Sequence, residues 1–143
     1  VKIVLNRLGE MRWMQVAIKP AKPLAYGIVN ELPVFGLPGN PVSSMVSYEL
    51  FARPALRKMS GNKNPYRTIF EGKATQDFLR KPDGKTHFFR VSADVGEGTP
   101  KLQSAGHQGS HQLTGMAGAN APAILPDGNG VSEDATLEFL FLD

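Results

Sequence analysis

Gly36-Leu37-Pro38-Gly39-Asn40-Pro41-Val42-Ser43-Ser44 is the stretch on which the fold turns. Glycine and proline break the apolar run Leu32 to Gly36 that precedes it. Asn40 is a favoured N-cap, and Pro41 takes the first helical position, where a missing N–H costs nothing. Downstream, Met45, Tyr48, Leu50 or Phe51, Ala55 and Met59 recur at helical spacing, and Gly61 supplies a stop. The stretch therefore predicts a strand, a tight loop and a helix from Pro41 to Met59. Pro54 removes a backbone donor inside that helix and should interrupt it near Ala52. A glycine-bearing loop at a helix N-terminus also suits a tetrahedral oxyanion, with Ser43 and Ser44 as added hydroxyl donors. The plainer alternative is a well-capped helix, because the Gly-Lys-Ser/Thr of a P-loop and the spacing of a dinucleotide fingerprint are both missing.

Upstream, Leu24 to Asn30 and Leu32 to Gly36 read as short strands around a turn at Asn30-Glu31, and Met11 to Ile18 reads as another strand. That strand ends in Lys19-Pro20-Ala21-Lys22-Pro23. Two prolines stiffen this loop, so two ammonium groups three residues apart are preorganised toward one anion. The other reading is a solvated basic loop. Val1, Leu5 and Leu8 have the spacing of one helix face. The chain thus opens inside a helix pattern and without Met, and is expected to be a piece of something longer.

Beyond the polar linker Asn62 to Arg67 the pattern becomes all-β. Runs at Arg67–Ala74, Lys85–Asp94, Lys101–Ser104, Ala121–Leu125 and Thr136–Leu142 are separated by turn signals at Lys81-Pro82-Asp83-Gly84, Gly96-Glu97-Gly98 and Pro126-Asp127-Gly128-Asn129-Gly130. A small antiparallel barrel or sandwich is expected there. Ser104-Ala105-Gly106-His107-Gln108-Gly109-Ser110-His111 forms a polar loop within it. His107 and His111 stand four apart, but neighbouring glycines oppose a helix and no third ligand is close, so a hydroxyl-and-amide contact loop is the better reading and no metal ligand is assigned. Arg90, in the run Thr86 to Ser92, is an anion ligand by type, or simply a solvated strand arginine.

The 143 residues are 41% hydrophobic and 20% charged, too apolar for disorder and enough for one domain or two small lobes. No apolar run approaches the roughly 18 residues of a membrane helix. Without cysteine, disulfide, thiolate-metal and thiol-nucleophile classes drop out. The net charge of +3 is uneven: the first 72 residues hold ten Lys/Arg against four Asp/Glu, the rest six against nine. A basic first half with no consecutive cationic run favours a discrete anion over a polyanion. A single-strand nucleic-acid module is accordingly the weaker rival, since its barrel would carry the wrong charge.

Val16-Ala17-Ile18-Lys19-Pro20-Ala21-Lys22-Pro23, Phe35 to Ser43 (FGLPGNPVS), Arg53-Pro54-Ala55-Leu56 and Gly106 to His111 (GHQGSH), in this order and at these separations, resemble the molybdopterin molybdotransferases, the family of bacterial MoeA and the gephyrin E domain. The resemblance covers essentially the whole chain. Two departures stand out. The family's basic string is Lys-Pro-Gly-Lys-Pro, so Ala21 replaces a glycine and narrows backbone freedom. Gln15 stands where many relatives carry a basic residue.

The resemblance implies the end of a molybdopterin-binding three-layer α/β domain over residues 1–62 and a C-terminal β-barrel domain over 63–143. It implies an enzyme of molybdenum cofactor biosynthesis that inserts molybdate into adenylylated molybdopterin and releases AMP. Lys19, Lys22, Ser43, Arg90 and Ser110 would line the molybdate pocket, with Lys19, Lys22 and Ser43 carrying catalysis. Gly39, Asn40 and Pro41 would shape the pterin loop. Mg²⁺ would assist from ligands upstream of this region, near a Gly-Gly-Val-Ser-Val-Gly string. A cytoplasmic homodimer without nucleic-acid or membrane partners is expected. The alternative is a non-catalytic anion- or pterin-binding scaffold on the same fold.

Overall fold

A computed structural model describes residues 2–106, 108 and 118–142. It opens with α1 (Lys2–Leu8) and β1 (Gly9–Gln15), which lies in a three-stranded antiparallel sheet with β3 (Pro23–Val29) and β4 (Leu32–Gly36), in the order β1-β3-β4. Asn30 and Glu31 close the β3–β4 hairpin with φ of 49° and 66°, the doubly left-handed turn whose twist matches paired strands.

The single strand expected over Met11–Ile18 is in fact two strands of different sheets. The β1–β3 register ends at Gln15 opposite Pro23, and proline has no N–H with which to carry the ladder further. The chain then bends: the Val16 N–H donates to the Lys22 carbonyl and the Ile18 N–H to the Val16 carbonyl, both at 2.8 Å. It continues as β2 (Ile18–Lys19), which pairs parallel with a barrel strand.

The helix after Asn40 runs its expected length. It comprises α2 (Pro41–Ser47), a wide π turn over Tyr48–Ala52, and α3 (Arg53–Met59). The expected break is therefore a change of pitch within one helical course. The Arg53 N–H reaches back five residues to the Tyr48 carbonyl. Pro54 explains this, because its ring crowds the carbonyl four residues earlier and its missing N–H leaves the tighter ladder nothing to lose there.

The barrel uses β5 (Ile69–Ala74), β7 (Thr86–Asp94), β8 (Lys101–Ser104), β9 (Ala121–Leu125) and β11 (Thr136–Leu140). Their order β7-β8-β5-β11-β9 closes on itself through the β7–β9 pairing, so none of these five strands is left as a sheet edge. The two-residue strands β6 (Phe78–Leu79) and β10 (Gly130–Val131), too short to show a period, pair across its mouth. A side chain at Gly130 would strike the Phe78 carbonyl, and its φ of +97° favours glycine for a second reason.

The barrel interior is filled by Phe78, Val91, Leu102, Ala123, Leu137 and Phe139, among others. A second cluster lies outside it. Ile18 and Ala21 from the basic loop, Val46 from α2, Phe88 from β7 and Leu140 from β11 pack together, with Val16, Met45 and Phe51 around them. This cluster seats the loop and the helix against the barrel wall.

Candidate functional site

Because β2 pairs parallel with β7, Lys19 stands beside His87, and the Thr86 N–H donates to the Ala17 carbonyl at 2.9 Å. A cleft of about 460 Å³ opens here, lined by Lys19, Lys81, Asp83, His87, Phe89 and Gln108, with Arg80 and Pro20 among its walls.

The charges in this wall are already allocated. Arg80, with its side chain 2% exposed, donates to the carbonyls of Lys85 (2.8 Å), Leu125 (3.2 Å) and Pro126 (2.9 Å). It also pairs with Asp83 and Asp127, each at 2.8 Å. Asp127 in turn accepts from the N–H groups of Asp83 and Gly84, which fixes the Lys81–Gly84 turn. Asp83 bonds His87 Nε2 at 3.1 Å and Lys85 Nζ at 3.1 Å. Desolvation works to raise the Asp83 carboxyl, yet the bonds from His87 and Lys85 prevail and bring it to about 2. Burial lowers the buried His87 imidazole below its ordinary 6.5 against the pull of Asp83, helped by the charges of Arg80 and Lys19. At neutral pH, His87 is therefore an uncharged polar wall. Lys19 and Lys81 remain as the lining cations without a carboxylate partner among the described residues.

Gln108 holds this wall together. One edge of β7 pairs with β2 at Thr86 and His87 and with β8 from Val91 onward, leaving a gap between. The Gln108 amide fills it: its Oε1 accepts from the Arg90 N–H (2.8 Å) and its Nε2 donates to the Arg90 carbonyl (2.9 Å). Asn120 does the same for Ala93 on the opposite edge, at 2.7 and 2.9 Å. Two side-chain amides thus stand in for missing strand, which satisfies backbone groups that burial would otherwise penalise.

Of the residues singled out from sequence, Lys19 lines the cleft. Arg90 is 3% exposed, and burial lowers its guanidinium below the ordinary range. Two residues on from Phe88, it shares the outer face of β7 that meets Ala21 and Val46. Ser43 is buried in the first turn of α2, and its N–H donates to the Asn40 side chain at 3.2 Å. Asn40 is the N-cap and Pro41 the first helical residue, with Gly39 exposed before them. Lys22 is exposed, and neither it nor Ser43 lines the Lys19 cleft. Ser110, with His107 and His111, lies outside the described residues. The basic loop, the helix that follows Asn40 and β7 are nonetheless packed together, because the cluster of Ala21, Val46 and Phe88 takes one member from each. Among the described residues no group of three His, Asp or Glu is placed to hold a metal ion.

Sequence reading missed Arg80 and His87, and named Gln108 only as part of a hydroxyl-and-amide contact loop. The density of charge around the Pro82-Asp83-Gly84 turn was the available signal for the first two. The polar loop signalled amide contacts for Gln108 but not their partner, because that depends on a gap between strands.

Residues 73–142 match the family described as MoeA C-terminal region (domain IV). The chain is 34% identical to a molybdopterin molybdenumtransferase of Haemophilus influenzae, over 96% of this chain and 35% of that protein. It is 31% identical to one from Bacillus subtilis, over 97% of this chain and 33% of that protein. The chain thus spans about a third of the length of these relatives. Its fold also matches the crystal structure of a molybdopterin biosynthesis MoeA protein from Pyrococcus horikoshii, with a TM-score of 0.77 at 24% identity, over 99% of this chain and 34% of that one.

Proposed function

This chain belongs to the MoeA family, in which it corresponds to the C-terminal region, and from that premise we propose that it supplies the oxyanion-holding part of a molybdopterin molybdenumtransferase. In this reading residues 1–62 end the molybdopterin-binding α/β domain and residues 63–143 form the C-terminal barrel domain. The whole enzyme transfers molybdate to adenylylated molybdopterin with release of AMP, as a cytoplasmic homodimer.

One observation carries the proposal: Lys19 is held by β2–β7 pairing at a cleft whose acids are already spent on Arg80, His87 and Lys85. A dianionic tetrahedral oxyanion there would meet an ammonium group rather than a carboxylate. The resemblance adds Lys22, Ser43, Arg90 and Ser110, for three cations and two hydroxyls in all. Lys22, Ser43 and Arg90 stand off the Lys19 cleft and Ser110 lies outside the described residues, so their convergence on one oxyanion is part of the proposal. Such a set contributes by positioning and charge stabilisation, with no covalent intermediate on the protein. The family's Mg²⁺ does not fit the described residues. Asp83 and Asp127, the acids nearest the cleft, are committed to Arg80, and no third carboxylate joins them. No step is therefore assigned to a metal here.

Calorimetric titration with molybdate, against sulfate as the tetrahedral control, tests this reading. Preference for molybdate that falls at least tenfold in Lys19→Ala, with an unchanged unfolding midpoint, is the expected result. Equal affinity for both anions, or a variant that binds molybdate normally, would overturn it.

A further inference from the structure

A second basic cleft lies away from Lys19, between α3 and the linker into β5. It encloses about 580 Å³ and is lined by Arg53, Arg57, Asn64, Tyr66, Arg67 and Thr68, with Phe70 and Phe141 at its edge. Among the described residues, Glu49 is the carboxylate these three guanidinium groups face. Glu49 bonds Arg67 at 2.5 Å and lies 3.6 Å from Arg53. Arg53 also donates to the Pro65 carbonyl at 3.5 Å, and Arg67 to the Phe141 carbonyl at 3.0 Å. These two arginines fasten the linker to the helix and to the end of the barrel.

Arg57 has no comparable role. It stands one turn after Arg53 on α3, and its Nε is sealed from solvent with no acceptor among the described residues. The helix C-terminus favours a cation at that position but offers this N–H nothing to bond. An unsatisfied buried charged donor is costly, on the order of 1–3 kcal/mol or more, and the repulsion of two neighbouring guanidinium groups adds to it. A bound anion that meets the part of the Arg57 guanidinium lining the cleft offsets this crowding of cations. The amide of Asn64 and the hydroxyls of Tyr66 and Thr68 provide neutral donors around the same space. Planar guanidinium forks match phosphate oxygens two at a time, which an ammonium cannot do.

We propose that this cleft is a phosphate-binding site, with Arg57 as its principal ligand and Arg53 as its second. The group bound is a phosphate dianion, free or at the end of a small ester. The site is independent of the Lys19 cleft, which lies against β2 and the segment 79–89.

The test is a titration of the full 143-residue chain with inorganic phosphate and, separately, with a nucleoside monophosphate. Ionic strength is held constant with chloride, and the arginine Nε–Hε signals are followed by NMR. Saturable movement of the Arg57 and Arg53 signals is expected, with the Arg53 movement weakened at least tenfold in Arg57→Gln and both unchanged in Lys19→Ala. Tighter binding of the ester would identify an esterified ligand, and equal binding a free one. Movement that does not saturate, or that persists in Arg57→Gln, overturns the proposal. So does movement abolished by Lys19→Ala, which would put the phosphate in the other cleft. Should Arg57→Gln fail to fold, the parent chain still decides: saturable movement of the Arg57 signal supports the site, and phosphate binding that leaves that signal in place overturns it.

Discussion

Ala21 has a φ of +83° and is 3% exposed, in the tight loop between β2 and β3. A side chain in that region costs roughly 1–2 kcal/mol, so a glycine there in relatives has a conformational reason. Ala21→Gly should nevertheless leave stability nearly unchanged. Strain relief is offset by a lost buried methyl, about 0.8 kcal/mol, and by glycine's backbone entropy, about 0.5–1 kcal/mol. Ala21→Val should instead lose roughly 2 kcal/mol or more, since branching adds to the strain and overfills the cluster with Val46 and Phe88. Urea unfolding of the pair checks both values. His87 makes a pH prediction. Its folded pKa lies below 6.5, so the unfolded chain binds the proton more readily. Its contribution is complete above about pH 6.5 and declines as the pH falls toward the folded value. Asp83, at about 2 against 3.8, adds a second decline between those values. Unfolding midpoints measured from pH 7 to 5 should fall less steeply in His87→Asn than in the parent chain.

The helical course from Pro41 to Met59 shows how far element-scale signals reach. Asn40 and Pro41 specify its start, and the structure places the cap and the first turn there. Asn40→Ala removes the acceptor for the Ser43 N–H and should cost about 1 kcal/mol, seen as a drop of roughly 4 °C in the calorimetric midpoint. Pro54 specifies a disturbance but not its form. A proline in mid-helix can be met by a kink, a break or a wide turn. Here it is met by a π turn, with Ala52 and Pro54 both buried at its end.

At the scale of the whole molecule, Phe88 joins the two halves. It lies on the outer wall of the barrel and packs with Ile18, Ala21, Val46 and Leu140. Phe88→Ala should cost about 3–5 kcal/mol and release β2 and α2 from the barrel wall. Hydrogen exchange should then accelerate in residues 16–24 and 41–47, while the interior strands, filled by a separate cluster, stay protected. Uniform acceleration throughout both halves would show that Phe88 is not the local connection between them.

Local physics in the sequence determined a good deal of this protein. The turn residues placed the β3–β4 hairpin, the cap placed the helix, and the spaced Pro-Asp-Gly and Gly-rich turns delimited the five barrel strands. The order and spacing of four motifs identified the family. What the sequence could not determine is held by pairings between distant segments. Met11–Ile18 carries one uninterrupted β pattern, and only the end of its partner strand at Pro23 divides it between two sheets. The neighbour of Lys19 is His87, 68 positions along the chain, because β2 docks parallel to β7. The work of Gln108 exists only because that docking leaves a gap in front of β8. Periodicity and turn chemistry act over a few residues. Which strand edges remain open, and which side chains close them, is decided by the closure of the barrel.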